Sequence, residues 1–584
     1  MSVAERKYFL SLNFLYQFAS NTKPISMKKN IYILIFISFF SLKSIAQTMG
    51  LMQHDSGTID NGYVLFSPIG STKTYLIDKC GKEVKEWNSA YRPGQAVYLL
   101  PDGNLLRAGN ANNTTFISGG QGGVIEKIDW SGNVLWSYSI SSNSECQHHD
   151  IKPLPNGNVL AIVWDNKSNS AAVAEGRDPS WLSTSLWSEK IIELQPIGAD
   201  SANIVWEWHV WDHLVQEYDS TKNNFGIVGL HPELLNINFP GIGLANFDWL
   251  HMNSVDYNPQ LDQILMSSHN FNEIWVIDHS TTNAQASSHS GGNSGKGGDL
   301  LYRWGNPQTY NNGLMTDKKL FGQHNAKWIT PGLPFEGSIM IFNNGAGRPA
   351  GNFSSIDIIT TPVNTQGEYN QSLPYLPSGL TWTYEAPTPT DFYSSNISGA
   401  QIFENGNLLI CAGAKGTFFE IDSSKNTVWN YINPIGATGA MTQGSTPSQN
   451  QCFRAEFYPM DFSGFAGYSL IAGLPLEINP LPYTCELDTA IEIINGNTKL
   501  NSDLNSFSIY PIPADDFFIL RFNNFNLDNS EIKIYDLSGR EIFIPLAISN
   551  SGIQFDSKSL FSGIYFIFIL SEGKISRSKF VIAE

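Results

Sequence analysis

Short apolar runs separated by Asn-Gly or Asp-Gly turns recur along residues 60–475. The clearest copies of one hairpin phrase stand at 100–106, 154–160 and 403–409, each with glycine in fourth place. Later strands of each unit end in Asp, and outer strands end in Trp at positions such as Trp87, Trp136, Trp206 and Trp429. Units of four strands, repeated about six times, predict an all-β fold, a six-bladed β-propeller.

The repeat also aligns a set of polar residues. Eight residues before the turn glycines stand Gln95, His149 and Ser398, and two looser copies of the phrase begin at His251 and His324. Innermost strands of a propeller start at one mouth of the central channel, so we expect these positions to converge. A ring of imidazoles at that mouth would be a place for chemistry.

Two chemistries suit such a ring. Several neutral imidazoles with a carboxylate could hold a metal. Alternatively, imidazoles and a guanidinium could grip a tetrahedral oxyanion, with one imidazole as nucleophile or acid. Arg348 favours the second interpretation, because its fork of donors suits sulfate or phosphate, and we expect neither a catalytic metal nor a cofactor. The neighbouring Asp150 and Asp248 could orient the histidines.

Some histidines have a purely structural alternative. A histidine at a strand start often serves only as a hydrogen-bonding group, which is the favoured interpretation for His148 and His269, with a functional role as the alternative. His149 stays open between the two roles. The aromatic segment 206–213 is predicted as an outer strand and a loop, with an aromatic substrate pocket as the alternative.

Charge and cysteine usage narrow the partners. A formal charge of −18 argues against nucleic acid, because phosphate binding needs a basic surface. The five cysteines leave at least one thiol unpaired in a monomer. We expect a bridge between Cys452 and Cys485.

The N-terminal 46 residues are predicted to contain a signal peptide. Met27-Lys28-Lys29 precedes an apolar run and a small-residue exit, which predicts cleavage before Gln47. Residues 1–26 then precede the true start at Met27, with a cytoplasmic extension as the alternative. The apolar run is too short to span a membrane comfortably, so we expect no transmembrane segment in the mature protein.

The composition changes near residue 485. Residues 486–506 are polar and indicate a linker, and residues 507–584 alternate strands and turns as in a small β-sandwich. This last segment, with Tyr-Pro-Ile-Pro at 510–513, resembles the C-terminal sorting domain of the type IX secretion system of Bacteroidetes. The resemblance implies contact with that machinery, export through the periplasm and outer membrane, and a secreted or cell-surface location.

Most of residues 60–475 carry a second resemblance, and we expect one β-propeller domain over residues 47–485. The phrases Leu-His-Met-Asn-Ser-Val-Asp-Tyr at 250–257, Gly-Gln-His-Asn-Ala at 322–326 and Asn-Asn-Gly-Ala-Gly-Arg at 343–348 resemble the bacterial arylsulfate sulfotransferases. Those enzymes are six-bladed propellers that move a sulfuryl group from an aryl sulfate to a phenol without the nucleotide donor PAPS, through a sulfated histidine. The resemblance implies that His251 and His324 bind the sulfuryl oxygens or shuttle a proton, while Arg348 neutralises charge.

The site expected from the ring and the resemblance has two parts. The catalytic candidates are His149, His251, His324 and Arg348. The substrate-binding candidates are Asn253, His269, Asn325, Asn344 and Ser398.

One departure leaves the mechanism open. In the family a histidine from a later blade is the nucleophile, but this chain has none after His324, and Ser398 stands at the matching ring position. Either His149 or another histidine takes over, or transfer is direct, or the activity differs. The alternative function is a secreted surface propeller that binds a ligand or glycan without catalysis.

Overall fold

The computed structural model divides the chain into two compact units, 1–493 and 494–584. It describes residues 46–182, 184–241, 247–482, 485 and 487 of the first unit. In the second unit it describes 507–510, 514, 516–522, 530–536, 540–549, 552–571 and 574–582. The predicted signal peptide and the predicted linker therefore lie outside the described residues, apart from Ala46 and Leu487.

The described part of the first unit is built from small sheets, all antiparallel except one two-stranded parallel pair at residues 214–215 and 235–236, which confirms the predicted all-β class. Its strands in chain order are β1 (Gly50–His54), β2 (Gly62–Pro68), β3 (Lys73–Asp78), β4 (Glu83–Asn88), β5 (Pro93–Leu99), β6 (Leu105–Asn110), β7 (Gly123–Ile128), β8 (Val134–Ser139), β9 (Glu145–Pro153), β10 (Val159–Ser168), β11 (Ser185–Ile197), β12 (Ser201–His209), β13 (Leu214–Val215), β14 (Leu235–Asn236), β15 (Met252–Asn258), β16 (Gln263–Ser268), β17 (Glu273–Asp278), β18 (Tyr302–Trp304), β19 (His324–Trp328), β20 (Ile339–Asn343), β21 (Ser355–Ile359), β22 (Trp382–Tyr384), β23 (Gly399–Ile402), β24 (Leu408–Ala412), β25 (Thr417–Ile421), β26 (Thr427–Ile432), β27 (Ile435–Gly436), β28 (Gly439–Ala440) and β29 (Cys452–Pro459).

Helix is scarce in the same region. Its short helices are α1 (Asn169–Ala174), α2 (Asn283–Ala286) and the 3-10 turns Pro179–Trp181, Val210–Asp212, Val228–Leu230, Pro307–Tyr310, Met315–Asp317, Pro389–Asp391, Gly413–Lys415 and Ser463–Phe465. Across the described residues, no helix has the length and apolar character needed to cross a bilayer.

Six of the sheets contain four or five strands. Their strand orders are β29-β2-β3-β4, β5-β6-β7-β8, β9-β10-β11-β12, β15-β16-β17-β18, β19-β20-β21-β22 and β23-β24-β25-β26-β1. The first strand of each sheet contacts the first strand of the next, and β23 contacts β29, so the contacts form a closed cycle. The cycle is closed by the end of the chain, because β29 pairs with β2 and β1 pairs with β26.

The repeated hairpin phrase forms the same turn in each clear copy. Leu100, Leu154 and Phe403 each donate a backbone N–H across the turn, to Asn104, Asn158 and Asn407 at 2.8, 2.9 and 2.9 Å. The turn glycines have φ values of 80°, 86° and 86°, which side-chain-bearing residues rarely adopt. The sequence repeat is therefore a structural repeat.

Residues before these turns share a second backbone feature. Gln95, His149, His251 and Ser398 have φ values of 93°, 49°, 52° and 88°, in the left-handed region. In the fifth sheet this conformation belongs to Asn325, with φ 49°, and not to His324. The expected equivalence of His324 with the other ring positions is therefore off by one residue. The turn between β19 and β20 is longer than the turns in the clear copies of the phrase, so the register could not be deduced from the sequence.

The sheets pack face to face through apolar side chains. One core joins the third and fourth sheets and includes the fully buried rings of Trp208, Trp249 and Trp275. Trp206 and Trp208 lie in the outer strand β12, with their indole N–H groups bound to Thr281 and Gly298. The outer-strand interpretation of 206–213 is thus confirmed for its first part, and these two rings serve packing.

The cysteine pairing differs from the expectation. Cys485 is bonded to Cys80, and Cys452 is a buried free thiol, as are Cys146 and Cys411. The expected bridge between Cys452 and Cys485 is therefore wrong. Cys452 begins the inner strand β29 and is held in the packed interior, whereas Cys80 lies in the turn between β3 and β4.

The second unit contains two more antiparallel sheets. Its strands are β30 (Phe507–Tyr510), β31 (Phe517–Phe522), β32 (Ser530–Asp536), β33 (Glu541–Ile542), β34 (Leu546–Ser549), β35 (Gly552–Asp556), β36 (Gly563–Ser571) and β37 (Lys574–Ile582). The sheet orders are β30-β31-β35-β34 and β33-β32-β36-β37. Side chains of both sheets, such as Phe518 and Phe580 at 4.3 Å between ring centroids, share one apolar core.

Candidate active site

Five imidazoles form a continuous cluster at the starts of the inner strands. Consecutive ring centroids are 5.2 Å apart for His148 and His149, 4.6 Å for His149 and His251, 5.4 Å for His251 and His269, and 5.6 Å for His269 and His324. They come from β9, from the residue before β15, from the turn after β16 and from β19. The structure thus brings together all the histidines that the sequence singled out.

His251 differs from its neighbours by having a carboxylate partner. Its Nδ1 lies 2.5 Å from Oδ2 of Asp248, which also accepts from the Ser118 hydroxyl at 2.6 Å. Oδ1 of Asp248 accepts from the Trp164 indole at 3.1 Å. Nε2 of His251 has no hydrogen-bond partner among the described residues, and the side chain is 16% exposed. Asp248 therefore fixes Nδ1 of His251, and Nε2 remains available for another group.

His251 and Asp248 each shift the pKa of the other toward the charged form. Burial alone would lower the pKa of His251, but the charge and hydrogen bond of Asp248 raise it above its ordinary value. Burial likewise opposes ionisation of Asp248, yet His251 and the other donors bring its pKa below the usual range. An imidazolium is thus favoured at this position of the cluster.

His324 has both ring nitrogens occupied. Oδ1 of Asn344 lies 2.8 Å from Nδ1 of His324, and the Nδ2 group of Asn344 donates to the carbonyls of Ser394 and Ile397. Nε2 of His324 accepts the backbone N–H of Ile397 at 3.2 Å. These contacts define a neutral ring protonated on Nδ1. Burial lowers the pKa of His324 well below its ordinary value, in agreement with that state.

His148 and His149 are neutral and coupled to each other. Their Nδ1 atoms are 3.0 Å apart, and burial lowers the pKa of both rings well below the ordinary value. The His148 ring stacks on Trp164 at 3.9 Å between centroids. Its Nε2 lies 3.1 Å from Oε1 of Glu189, although off the direction of a hydrogen bond. His148 therefore supports His149 from the side away from His251.

His269 closes the gap between His251 and His324. Its Nδ1 lies 2.8 Å from Oδ1 of the neighbouring Asn270, whose amide donates to the Asp248 carbonyl at 2.6 Å. Burial, followed by the charge of His251, lowers the pKa of His269 to about 4. His269 is thus a neutral hydrogen-bonding group beside a charged one.

A glycine-rich loop covers His149 and His251. The carbonyl of Gly120 accepts the backbone N–H of His149 at 2.7 Å, and a Cβ at Gly120 would lie 1.8 Å from Cε1 of the His149 ring. Gly120 has φ 83°. Only glycine fits there, so the loop lies directly on the imidazole.

The polar candidates are buried and partly committed to the fold. The Asn253 amide donates to the Gln323 carbonyl at 2.7 Å while its Oδ1 has no partner. Oδ1 of Asn325 accepts the Ala400 N–H at 3.0 Å. The Ser398 hydroxyl bonds Ser394 at 2.9 Å and accepts the Gly413 N–H at 3.0 Å. The Ser398 hydroxyl is therefore committed to neighbouring groups.

Arg348 shows no contact with the imidazoles among the described residues. Its guanidinium donates to Ser355 at 2.5 Å and lies over the Phe353 ring at 4.4 Å. Its Nε has no partner, and burial lowers the pKa of the group. A different arginine lies inside the ring of inner strands: Arg454 is paired with Asp150 at 2.8 Å.

Sequence reasoning missed several groups around the cluster. Arg454 lies on β29, which enters the ring from the far end of the chain and lacks the hairpin phrase. Glu189 and Trp164 lie on β11 and β10, one or two strands away from the inner edge. Asp248 was expected only as a neighbour that could orient a histidine, and it does so. Asp150 instead pairs with Arg454.

The cluster is not arranged around a single ion. Among the described residues, two sets of three His, Cys, Asp or Glu side chains bring their ligand atoms within 4.8 Å of one another, and neither includes a histidine of the cluster. The arrangement suits proton transfer and nucleophilic chemistry at imidazole nitrogens.

Comparison with known families agrees with a site of this type. The model of the family "Arylsulfotransferase (ASST)" matches residues 72–454, which include every histidine of the cluster. The chain therefore belongs to the arylsulfotransferase family. A second family, the secretion system C-terminal sorting domain, matches residues 508–583 and indicates export to the surface or the medium. No curated protein shows significant similarity to the chain.

Solved structures resemble the chain only distantly. A protein of unknown function from Bacteroides caccae is 12% identical, with a TM-score of 0.36, over 68% of this chain and 98% of its own. Virginiamycin B lyase from Staphylococcus aureus is 12% identical, with a TM-score of 0.30, over 68% of this chain and 87% of its own. No argument about the site rests on these likenesses.

Proposed function

We propose that the protein is an arylsulfate sulfotransferase-like enzyme that moves a sulfuryl group from an aryl sulfate to a phenol without PAPS. The observation that carries the proposal is the ion pair of His251 with Asp248, whose unpaired Nε2 stands among neutral imidazoles. Sulfuryl transfer between phenols requires a proton to leave one oxygen and reach another. An imidazole with a raised pKa and one available nitrogen suits that transfer.

The six sheets are, in this proposal, the six blades of a β-propeller spanning residues 47–485. Support comes from the closed cycle of inner-strand contacts and from the pairing of β29 with β2. The two sheets of residues 507–584 form a β-sandwich, because one core contains side chains of both. Residues 486–506 link the propeller domain to the C-terminal domain in the sequence. The C-terminal sorting domain directs export through the periplasm and outer membrane.

In direct transfer, the acceptor oxygen attacks sulfur while the bond from sulfur to the donor oxygen breaks. At a pH above the raised pKa of His251, the neutral ring takes the acceptor proton on Nε2, and the resulting imidazolium gives it to the departing phenolate. Asp248 stabilises the imidazolium in between. Neutral His149 flanks His251 and supplies an N–H donor from Nε2 when its Nδ1 accepts from His148, whereas His269 already donates its Nδ1 proton to Asn270.

A double displacement through His149 is the other route. If the His148 proton sits on Nε2, facing Glu189, then Nδ1 of His149 donates to Nδ1 of His148 and Nε2 of His149 keeps a lone pair. That lone pair attacks sulfur, and the donor oxygen leaves with a proton from His251. The Nδ1 proton of His149 passes to His148, so the sulfated ring is neutral. The acceptor oxygen then displaces Nε2 and gives its proton to His251, while the proton held by His148 returns to Nδ1 of His149.

One observation favours a binding function as the second candidate. His324 and Ser398 lie where the fifth and sixth sheets meet. Their side-chain polar atoms already form hydrogen bonds with other groups of the protein. A propeller with such a ring could bind an anionic ligand or glycan without transferring a group. In that case the cluster would bind aryl sulfates without turning them over.

The test uses the purified full chain with p-nitrophenyl sulfate, with and without a phenol acceptor and without any nucleotide. We expect nitrophenol release that depends on the acceptor and is lost in His251→Asn. His231→Asn is the matched control, because His231 is an exposed histidine paired with Glu233 outside the cluster. Absence of release with every acceptor, in a folded protein that binds the aryl sulfate, would favour the binding function.

The same assay separates the two routes of transfer. A burst of about one equivalent of nitrophenol without acceptor, with a sulfuryl mass gain on the peptide of His149, supports double displacement. Steady release only with acceptor, and no modified peptide, supports direct transfer.

A further inference from the structure

A second cluster of ligating side chains lies outside the imidazole site and shares no residue with it. His213, His289 and Asp299 bring one ligand atom each within 4.8 Å of one another. Oδ1 of Asp299 is 2.8 Å from Nδ1 of His213 and 2.7 Å from Nδ1 of His289. His213 follows β12, and the other two lie in the long connection between β17 and β18. The cluster therefore joins loops of two neighbouring sheets.

If the His213 ring is neutral, its hydrogen bonds leave one nitrogen lone pair facing an acceptor inside this cluster. Nε2 of His213 is 2.8 Å from the carbonyl of Ala286, which can only accept, so Nε2 carries a proton. A neutral imidazole has one such proton, and Nδ1 then offers a lone pair. That lone pair faces the carboxylate oxygen of Asp299 at 2.8 Å, another acceptor. A cation bound by both atoms would turn this repulsion into two coordination bonds.

The His213 ring is held in place before any ion binds. Its side chain is fully buried and stacks on Trp208 with centroids 5.6 Å apart and planes 7° apart. The Trp208 indole donates to the Gly298 carbonyl at 2.7 Å. A Cβ on Gly298 would lie 2.5 Å from Nε2 of His213, so glycine is needed for this approach. The ring is therefore preorganised, with Nδ1 aimed at Asp299.

The cluster is also reachable from solvent. The His289 side chain is 62% exposed, while that of Asp299 is 9% exposed. Two imidazoles and one carboxylate, with water in the remaining position, form a ligand set that suits Zn²⁺ and similar divalent transition metals.

We infer that His213, His289 and Asp299 form a binding site for a divalent transition-metal cation, with Zn²⁺ as the probe. The ion links the connection after β12 to the Ser- and Gly-rich segment 287–298, which has few apolar contacts of its own. Its role is to fasten this long loop across two neighbouring sheets, as a structural clip apart from the chemistry at His251.

The test is a Zn²⁺ titration of the tag-free full chain after removal of metal with EDTA, followed by calorimetry. The expected result is one equivalent in the wild type that is lost or weakened at least about 100-fold in His289→Ala, more than an outer-shell partner costs. His289 is exposed, so this variant is expected to fold normally. Asp299→Asn should show the same loss, and His231→Ala, an exposed histidine outside the cluster, should show none.

A second readout follows the loop itself. Trypsin cleavage after Lys296 should slow when Zn²⁺ is added to the wild type, and the His289→Ala variant should show no protection. The inference is overturned if the wild type binds no Zn²⁺, which would leave a doubly protonated His213 as the explanation of the geometry. It is equally overturned if Zn²⁺ binds with the same stoichiometry and affinity in His289→Ala, since the ion would then lie elsewhere, for example at the central imidazoles.

Discussion

Two members of the imidazole cluster are the same side chain in opposite situations. In the middle of the cluster His251 has a carboxylate on Nδ1 and an available Nε2. At one end His324 donates to Asn344 and accepts from Ile397, so that neither nitrogen is available in this arrangement. The sequence phrases around the two histidines look alike, yet burial and partners raise the pKa of one ring and lower that of the other.

The difference shows that hydrogen-bond partners decide what a histidine can do. A ring whose second nitrogen is unpaired can move a proton or bind a sulfuryl oxygen. A ring with both nitrogens bound must break a buried hydrogen bond before it can do either, which costs about 1–3 kcal/mol. We therefore expect chemistry at His251 and a positioning role at His324.

The largest effect is expected from His251→Asn. Loss of the proton-transferring group should lower kcat/KM for aryl sulfate by about 10²–10⁴-fold. The thermal midpoint should change little, because the side chain is partly exposed and asparagine keeps a donor toward Asp248. Steady-state kinetics and a melting curve check this. Equal losses of kcat/KM in His251→Asn and in the control His231→Asn would contradict the assignment of the chemistry to His251.

A smaller loss, about 10- to 100-fold, is expected from Asp248→Asn, together with a changed pH profile. Direct transfer needs neutral His251, so kcat/KM of the wild type should fall as the pH drops through the raised pKa of His251. Without the carboxylate that pKa falls, and the acid limb should move to lower pH. Profiles of kcat/KM against pH for both proteins test this. An unmoved limb would mean that another group controls it.

His324→Ala should mainly affect stability. The substitution leaves the Ile397 N–H and Asn344 Oδ1 without their partner, at a cost of about 1–3 kcal/mol in the free energy of unfolding. His324→Gln retains an amide donor and acceptor and should recover part of it. Denaturant unfolding and kinetics on the folded fraction are the measurements. A rate loss as large as that of His251→Asn, at unchanged stability, would place the chemistry at His324 instead.

The smallest effect is expected from Ser398→Ala. Its hydroxyl accepts the Gly413 N–H, so removal should lower the free energy of unfolding by about 1 kcal/mol. Denaturant unfolding measures the change, with Ser395→Ala as the control because Ser395 is exposed and bonds only its neighbour Asn396. A stability equal to that of the wild type would mean that the Ser398 hydroxyl is free to meet a ligand.

Much of the fold was predictable because it depends on local sequence patterns. The hairpin phrase at 100–106, 154–160 and 403–409 requires glycine at positive φ, and each copy forms the same turn. Where the phrase is loose, as after His324, the expected register was off by one residue, and the left-handed position belongs to Asn325. A one-residue error in strand register cannot be recognised from the sequence when the turn length is not fixed.

The site was predictable in its residue type but not in its pairing. The three histidines of the repeat meet, together with His148 and His269. In contrast, Arg348 bonds Ser355, and Arg454 occupies the interior with Asp150. Strand β29 comes from the end of the chain and pairs with β2, so its approach to the other inner strands depends on closing the cycle. The same long-range closure brings Cys485 to Cys80 and not to Cys452.

The sequence by itself determined the all-β class, the repeated hairpins and the supply of imidazoles, because these depend on residue type and spacing along the chain. Only the tertiary structure decided which nitrogen of each imidazole is occupied. Ser118, 130 residues away in sequence, holds the Asp248 carboxylate that faces His251, and Ile397 donates to Nε2 of His324. The physical reason is that a pKa depends on burial and on charges a few ångströms away, and both are properties of packing.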